Sequence, residues 1–186
     1  MKRYRGDVRI AARVNGEERS IVVQPGETLL EMLRERLGLF GAKRGCENGD
    51  CGACTVLLGG RPVKACLVPA VEADGAVVLT VEGLRDERLR QAFLEQGGVQ
   101  CGFCTAGFLV NAFALLQAHP DPGDEEIRLW LEANLCRCTG YEGIERAVRA
   151  AGLPCGSVGP GKARTSARGT ETRRTPGSRS AGSTGC

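Results

Sequence analysis

Residues 45–55 read Gly-Cys-Glu-Asn-Gly-Asp-Cys-Gly-Ala-Cys-Thr, and a fourth cysteine follows at Cys66. A loop with Cys46, Cys51 and Cys54 so close together has little room for a helix or strand. Gly45, Gly49 and Gly52 let its backbone wrap tightly. The elements on either side follow from this loop. Upstream, residues 8–14 and 20–23 are β-rich runs joined through Asn15-Gly16, whose dipeptide suits a tight hairpin turn. Thr28 then caps a predicted helix to Leu37, with Leu29, Leu30, Leu33 and Leu37 on one face and Gly38 as its stop. Downstream, residues 55–58, 62–67 and 77–81 read as strands, the first two separated by Gly59-Gly60. A mixed sheet crossed by one helix, ending near residue 83, is the expected packing.

From residue 84 the pattern changes to helical. Helices are expected over 87–96, 105–118, 125–135 (capped by Asp124, with Ile127, Trp130, Leu131 and Leu135 core-spaced) and 143–151. Four short helices suggest a small bundle. The resulting α+β division is 1–83, 84–155 and a basic tail, 156–186. The tail holds five Arg and one Lys against Glu171 alone, with almost no apolar residues. It cannot offset its ordering entropy by burial and reads as disordered.

Eight of the ten cysteines fall into two sets of four. The C-x4-C-x2-C…C spacing of Cys46, Cys51, Cys54 and Cys66 is that of plant-type [2Fe–2S] ferredoxins. Structural zinc sites more often pair two short knuckles or add histidine. Cys101, Cys104, Cys136 and Cys138 form the second set. Each of its pairs precedes a predicted helix, where unpaired N–H groups favour an anionic group. Spacing alone leaves that second set open between iron–sulfur and zinc.

Composition narrows the classes further. The 186 residues carry a net charge of +3, which gives little reason to expect nucleic acid as a partner. Their apolar runs fall short of the ~18–20 residues of a membrane helix. Nothing at the start reads as a secretory signal, so a reducing cytoplasmic setting and metal-binding thiols are expected. His119, the single histidine, excludes a Rieske centre, which needs two. Its place at a helix end suggests an exposed charge, and Trp130 reads as core. The two C-x-x-C pairs are better explained by their partner cysteines than as dithiols. Residues 156–163 imitate a phosphate loop but end in Ala163, where a hydroxyl must bind Mg²⁺. Cys155 and Cys186 stand outside both quartets. No triad, carboxylate pair or dinucleotide fingerprint is apparent, so substrate chemistry belongs on another chain.

Taken in order, GCENGDCGACT at 45–55, QCGFCT at 100–105 and NLCRCTGY at 134–141 resemble the small iron–sulfur subunit of the molybdenum hydroxylases. This family includes xanthine dehydrogenase, aldehyde oxidoreductase and carbon monoxide dehydrogenase, and the resemblance spans about residues 6–152. It implies a β-grasp ferredoxin domain with one [2Fe–2S] cluster on Cys46, Cys51, Cys54 and Cys66. A four-helix domain would hold a second on Cys101, Cys104, Cys136 and Cys138. By the same resemblance, Gln100 and Cys138 approach the pterin of a molybdenum cofactor on a large partner subunit. Electrons would then pass singly to FAD on a medium subunit or to an external acceptor. Phe40 and Ala42 depart from the threonines many relatives carry, and the basic tail has no counterpart. Two other classes account for parts of the pattern: a stand-alone two-cluster ferredoxin and a zinc-stapled interaction module.

Overall fold

The computed structural model describes residues 6–152. The basic tail, the phosphate-loop imitation, Cys155 and Cys186 lie outside them. Strands β1 (Val8–Val14) and β2 (Glu17–Val23) form an antiparallel hairpin, with Ile10 opposite Ile21. Asn15 and Gly16 turn it at φ 52° and 90°, as a two-residue hairpin turn requires. Strands β3 (Thr55–Leu58), β4 (Arg61–Lys64) and β5 (Val77–Leu79) complete a five-stranded sheet of order β2-β1-β5-β3-β4. Only the β1–β5 pairing is parallel. Period-2 alternation puts Ile10, Ala12, Val14, Ile21 and Val23 on one buried face.

The helix across that face differs from expectation in its winding. Thr28 caps it as the sequence suggests: its hydroxyl accepts the Glu31 N–H while the Glu31 carboxylate accepts the Thr28 N–H, a capping box. After one α-turn, α1 (Leu29–Glu31), the chain continues as a π-helix over Met32–Arg36, and Leu37 N–H bonds to the Met32 carbonyl. Met32 and Leu33, three and four residues after Leu29, share its buried face and join Leu29 and Leu30 in the core. Each such buried side chain contributes about 1.5–3 kcal/mol.

Helices α2 (Glu87–Glu95), α3 (Thr105–Ala118), α4 (Asp124–Leu131) and α5 (Glu142–Gly152) share a second core built on Leu89, Phe93, Phe108, Leu115, Ile127, Ile144 and Val148. The α4 helix ends one turn earlier than its periodicity suggests. The Asn111 side chain takes the Trp130 carbonyl at 2.7 Å, and the Leu135 N–H leaves for the Cys51 carbonyl. Leu135 is therefore exposed instead of core. The cap also differs: Gly123 is the N-cap, while Asp124 pairs with Arg149. Two 3₁₀ turns, Ala70–Ala73 and Val81–Gly83, were not legible in the pattern. A small third core of Leu57, Val110 and Ala114 joins β3 to α3. Trp130 packs at its edge, and His119 pairs with Glu126 at 3.0 Å. Among the described residues no helix is long and apolar enough to cross a membrane.

Candidate metal centres

The first cysteine loop lies between the π-helix and β3. Its ends are tied by the Lys43 N–H to the Ala53 carbonyl at 2.9 Å, and Arg34 reaches the Ala42 carbonyl at 2.8 Å. Inside it the Cys51 N–H donates to Cys46 Sγ at 3.3 Å. Cys66 arrives just after β4 and has the Cys54 sulfur as its neighbour. The four sulfurs thus come as two pairs, Cys46 with Cys51 and Cys54 with Cys66.

The second loop pair repeats the arrangement. Cys104 is the N-cap residue of α3, and Cys136 and Cys138 lie between α4 and α5. Cys101 and Cys138 are exposed with their sulfurs 3.7 Å apart, and Cys104 neighbours the buried Cys136. Among the described residues no three His, Cys, Asp or Glu side chains gather as a single-ion site demands. Two sulfurs on each side of a diiron unit, whose remaining ligands are bridging sulfides, ask only for pairs. The donor set fits [2Fe–2S] in both places.

Comparison with known proteins agrees. Residues 12–80 match the 2Fe-2S iron-sulfur cluster binding domain family, and residues 80–149 match the [2Fe-2S] binding domain family. The nicotinate dehydrogenase small FeS subunit of Eubacterium barkeri is 49% identical over 152 residues, covering 80% of this chain and 97% of that one. The chain belongs to the small iron–sulfur subunits of the molybdenum hydroxylases. Aldehyde oxidoreductase of Megalodesulfovibrio gigas, a longer protein, matches over 16% of its own length at 44% identity. The crystal structure of quinoline 2-oxidoreductase from Pseudomonas putida 86 superposes with a TM-score of 0.76 at 44% identity, covering 80% of this chain and 95% of that one.

The sulfurs of this iron–sulfur subunit sit in unequal electrostatic surroundings. Backbone N–H groups of Cys51, Asn48 and Asp50 point at Cys46 and pull its thiol down to about 6. Burial, reinforced by the Cys54 sulfur, pushes Cys66 up to about 11. Burial and the Cys136 sulfur push Cys104 up to about 12. Burial alone would raise Cys136 too, but the Thr139 hydroxyl and the Thr139 and Cys138 N–H groups hold it below the usual thiol value. The Cys101 sulfur beside Cys138 raises that thiol. Thiols kept protonated by burial and by each other are relieved when a cation arrives, so cluster uptake releases protons.

Several residues join the two loops through contacts that their place in the sequence does not reveal. The Leu135 N–H donates to the Cys51 carbonyl at 2.9 Å, and Asn134 Nδ2 donates to the Gly52 carbonyl at 2.8 Å. Asn111 Nδ2 in turn holds Asn134 Oδ1 at 2.9 Å, and Lys64 Nζ reaches the Ala133 carbonyl. Gly52 needs to be glycine twice over. Its φ is +67°, and a Cβ would lie 2.4 Å from the Ala133 carbonyl oxygen. Facing it, a Cβ on Gly107 of α3 would meet the Gly52 carbonyl oxygen at 2.2 Å. A polar Asn111 on the apolar stripe of α3, one turn after Gly107, and the place of Asn134 and Leu135 in the 134–141 motif are the hints the sequence holds. Gln100 is exposed beside the exposed Cys101.

Proposed function

We propose that Cys46, Cys51, Cys54 and Cys66 hold one [2Fe–2S] cluster and that Cys101, Cys104, Cys136 and Cys138 hold the other. The first lies in a β-grasp domain ending at about residue 83 and the second in a four-helix-bundle domain over 84–155, with 156–186 as an appended tail. The chain relays electrons within an oxidoreductase complex. A bound [2Fe–2S] cluster takes up and gives back one electron at a time.

The observation that carries the relay is the hydrogen bond between Leu135 N–H and the Cys51 carbonyl. It connects a residue of the first quartet to the immediate neighbour of Cys136, so the two centres communicate through one hydrogen bond and a short run of backbone. The chain holds each diiron unit, limits water around Cys54 and Cys136, and fixes the separation of the two. The exposed Gln100, Cys101 and Cys138 form the end of this path that faces outward. On this reading Gln100 and Cys138 meet the pterin of a molybdenum cofactor carried by a large partner subunit. A medium FAD subunit or an external acceptor then takes electrons from the first centre. The complex works in the reducing cytoplasm, and the partner determines the substrate.

Anaerobic purification from the native source tests this. Co-purification with a large molybdenum-binding chain is expected, with about four iron and four acid-labile sulfide per copy of this chain. Dithionite reduction should then give two electron paramagnetic resonance signals, of which Cys66→Ser loses one and Cys104→Ser the other. A colourless zinc protein without sulfide overturns the cluster assignment. A lone, stable two-cluster monomer overturns the partner assignment.

A further inference from the structure

The second quartet carries a hydroxyl that its ligand spacing does not require. Thr139 Oγ1 lies 3.2 Å from Cys136 Sγ, and the same oxygen accepts the Tyr141 N–H at 3.2 Å. A threonine hydroxyl has one proton to donate and lone pairs to receive. With the Tyr141 N–H occupying an oxygen lone pair, the hydroxyl proton faces the sulfur. A metal-bound thiolate has no proton to return, so the bond runs from oxygen to sulfur whenever the site is loaded.

The loop is built to keep that direction. Tyr141 stands at φ +69°, an uncommon conformation for a non-glycine residue. In it the Tyr141 hydroxyl reaches back to accept the Cys136 N–H at 3.0 Å. Its ring packs edge-on against buried Phe108, with centroids 6.3 Å apart. The turn from Cys136 to Tyr141 is thus closed at both ends around the Thr139 hydroxyl. In the first quartet, by contrast, the bond to Cys46 Sγ comes from the backbone, from the Cys51 N–H.

We propose that Thr139 tunes the second centre: its O–H···S bond to Cys136 stabilises the reduced state and raises that centre's reduction potential. This rests on the reading that the quartet holds a [2Fe–2S] cluster. Reduction adds one electron and makes the cluster and its thiolates more negative, while the hydroxyl proton stays on its oxygen. A hydrogen bond to a sulfur strengthens as negative charge grows there, so it favours the reduced form. Thr139 is a positioning residue acting through Cys136, and it sets how readily the second centre accepts an electron from outside.

The test is a redox titration of the full chain with both clusters loaded, followed by electron paramagnetic resonance. The signal missing from Cys104→Ser identifies the second centre. For Thr139→Val, the equilibrium constant for electron uptake at that centre is expected to fall about tenfold, which is about 59 mV for one electron. The first centre, an internal reference, stays within about twofold, and Thr139→Ser stays within about twofold of the wild type. An unmoved second centre in Thr139→Val overturns the proposal, as does a Ser variant behaving like Val or an equal shift at both centres. Should both Thr139→Val and Thr139→Ala lose the second signal, the hydroxyl serves to hold the loop and the proposal also falls. A wild-type chain without two signals defeats the underlying cluster assignment instead.

Discussion

Asn134 is the residue whose loss the structure prices most clearly. It is almost fully buried, donates Nδ2 to the Gly52 carbonyl and accepts Asn111 Nδ2 through Oδ1. Asn134→Ala removes both hydrogen bonds, each contributing about 0.5–1.5 kcal/mol net. The partners are not orphaned. Gly52 keeps the Thr55 N–H and hydroxyl, and Asn111 keeps the Trp130 carbonyl. The vacated space, about 30 Å³, suits a single water, which offsets part of the loss. A net cost of about 1–2 kcal/mol follows, or roughly 5- to 30-fold in an equilibrium. Asn134→Asp costs more, because it loses the donor and turns a carboxylate oxygen toward the Gly52 carbonyl. Cluster release makes unfolding irreversible, so the measurement is a rate. Because the Asn134–Gly52 contact joins positions 82 residues apart and so forms late in folding, anaerobic bleaching of the visible absorbance in urea should accelerate up to about 30-fold for Ala, and further for Asp. In the double variant with Asn111→Ala, the combined effect should be smaller than the sum of the two separate effects, since the residues share a bond. Bleaching of Asn134→Ala at the wild-type rate within about twofold, or an Asp variant no worse than Ala, refutes this account.

Other perturbations give equally definite outcomes. In the metal-free chain Cys46 should be the first thiol alkylated at neutral pH, with its rate falling as pH drops through about 6, read by mass-spectrometric mapping. The sign follows from the thiolate being the nucleophile: N–H donors depress the thiol value, so reactivity persists down to that pH and is lost below it. Gly107→Ala places a methyl group 2.2 Å from the Gly52 carbonyl oxygen and must push α3 from the first loop. Weaker magnetic coupling between the two reduced centres, at an unchanged cluster content, is the expected readout. Thr28→Ala removes the capping box and should cost about 1 kcal/mol, measured as faster urea bleaching with both signals intact.

What could be read in advance was local chemistry, and what could not was long-range pairing. The hairpin turn at Asn15-Gly16, the Thr28 cap and the 105–118 helix all follow from near-neighbour rules, and the structure shows each. Periodicity overextends the helix over 125–135 because it cannot see a competitor 19 residues upstream. Asn111 and the Cys51 carbonyl both withdraw partners from its last turn. The π-helix leaves no mark in the pattern, because Met32 and Leu33 face the core in either winding. For the site, the grouping of cysteines into quartets was evident from spacing. The supporting residues were not: Asn134, Thr139 and Tyr141 all lie in the 134–141 motif, but which atom each one reaches depends on a left-handed residue and on a loop 82 positions away.

The Cys51–Leu135 bond has a further consequence for how the molecule ages. Oxygen attack that strips iron from either loop frees the backbone beside it, and that backbone is also what braces the opposite loop. Damage on one side therefore undermines the other, and the surviving cluster should be shed sooner than it would be in an undamaged copy. A cell would meet few half-working copies, because a chain that fails at one end soon fails at both.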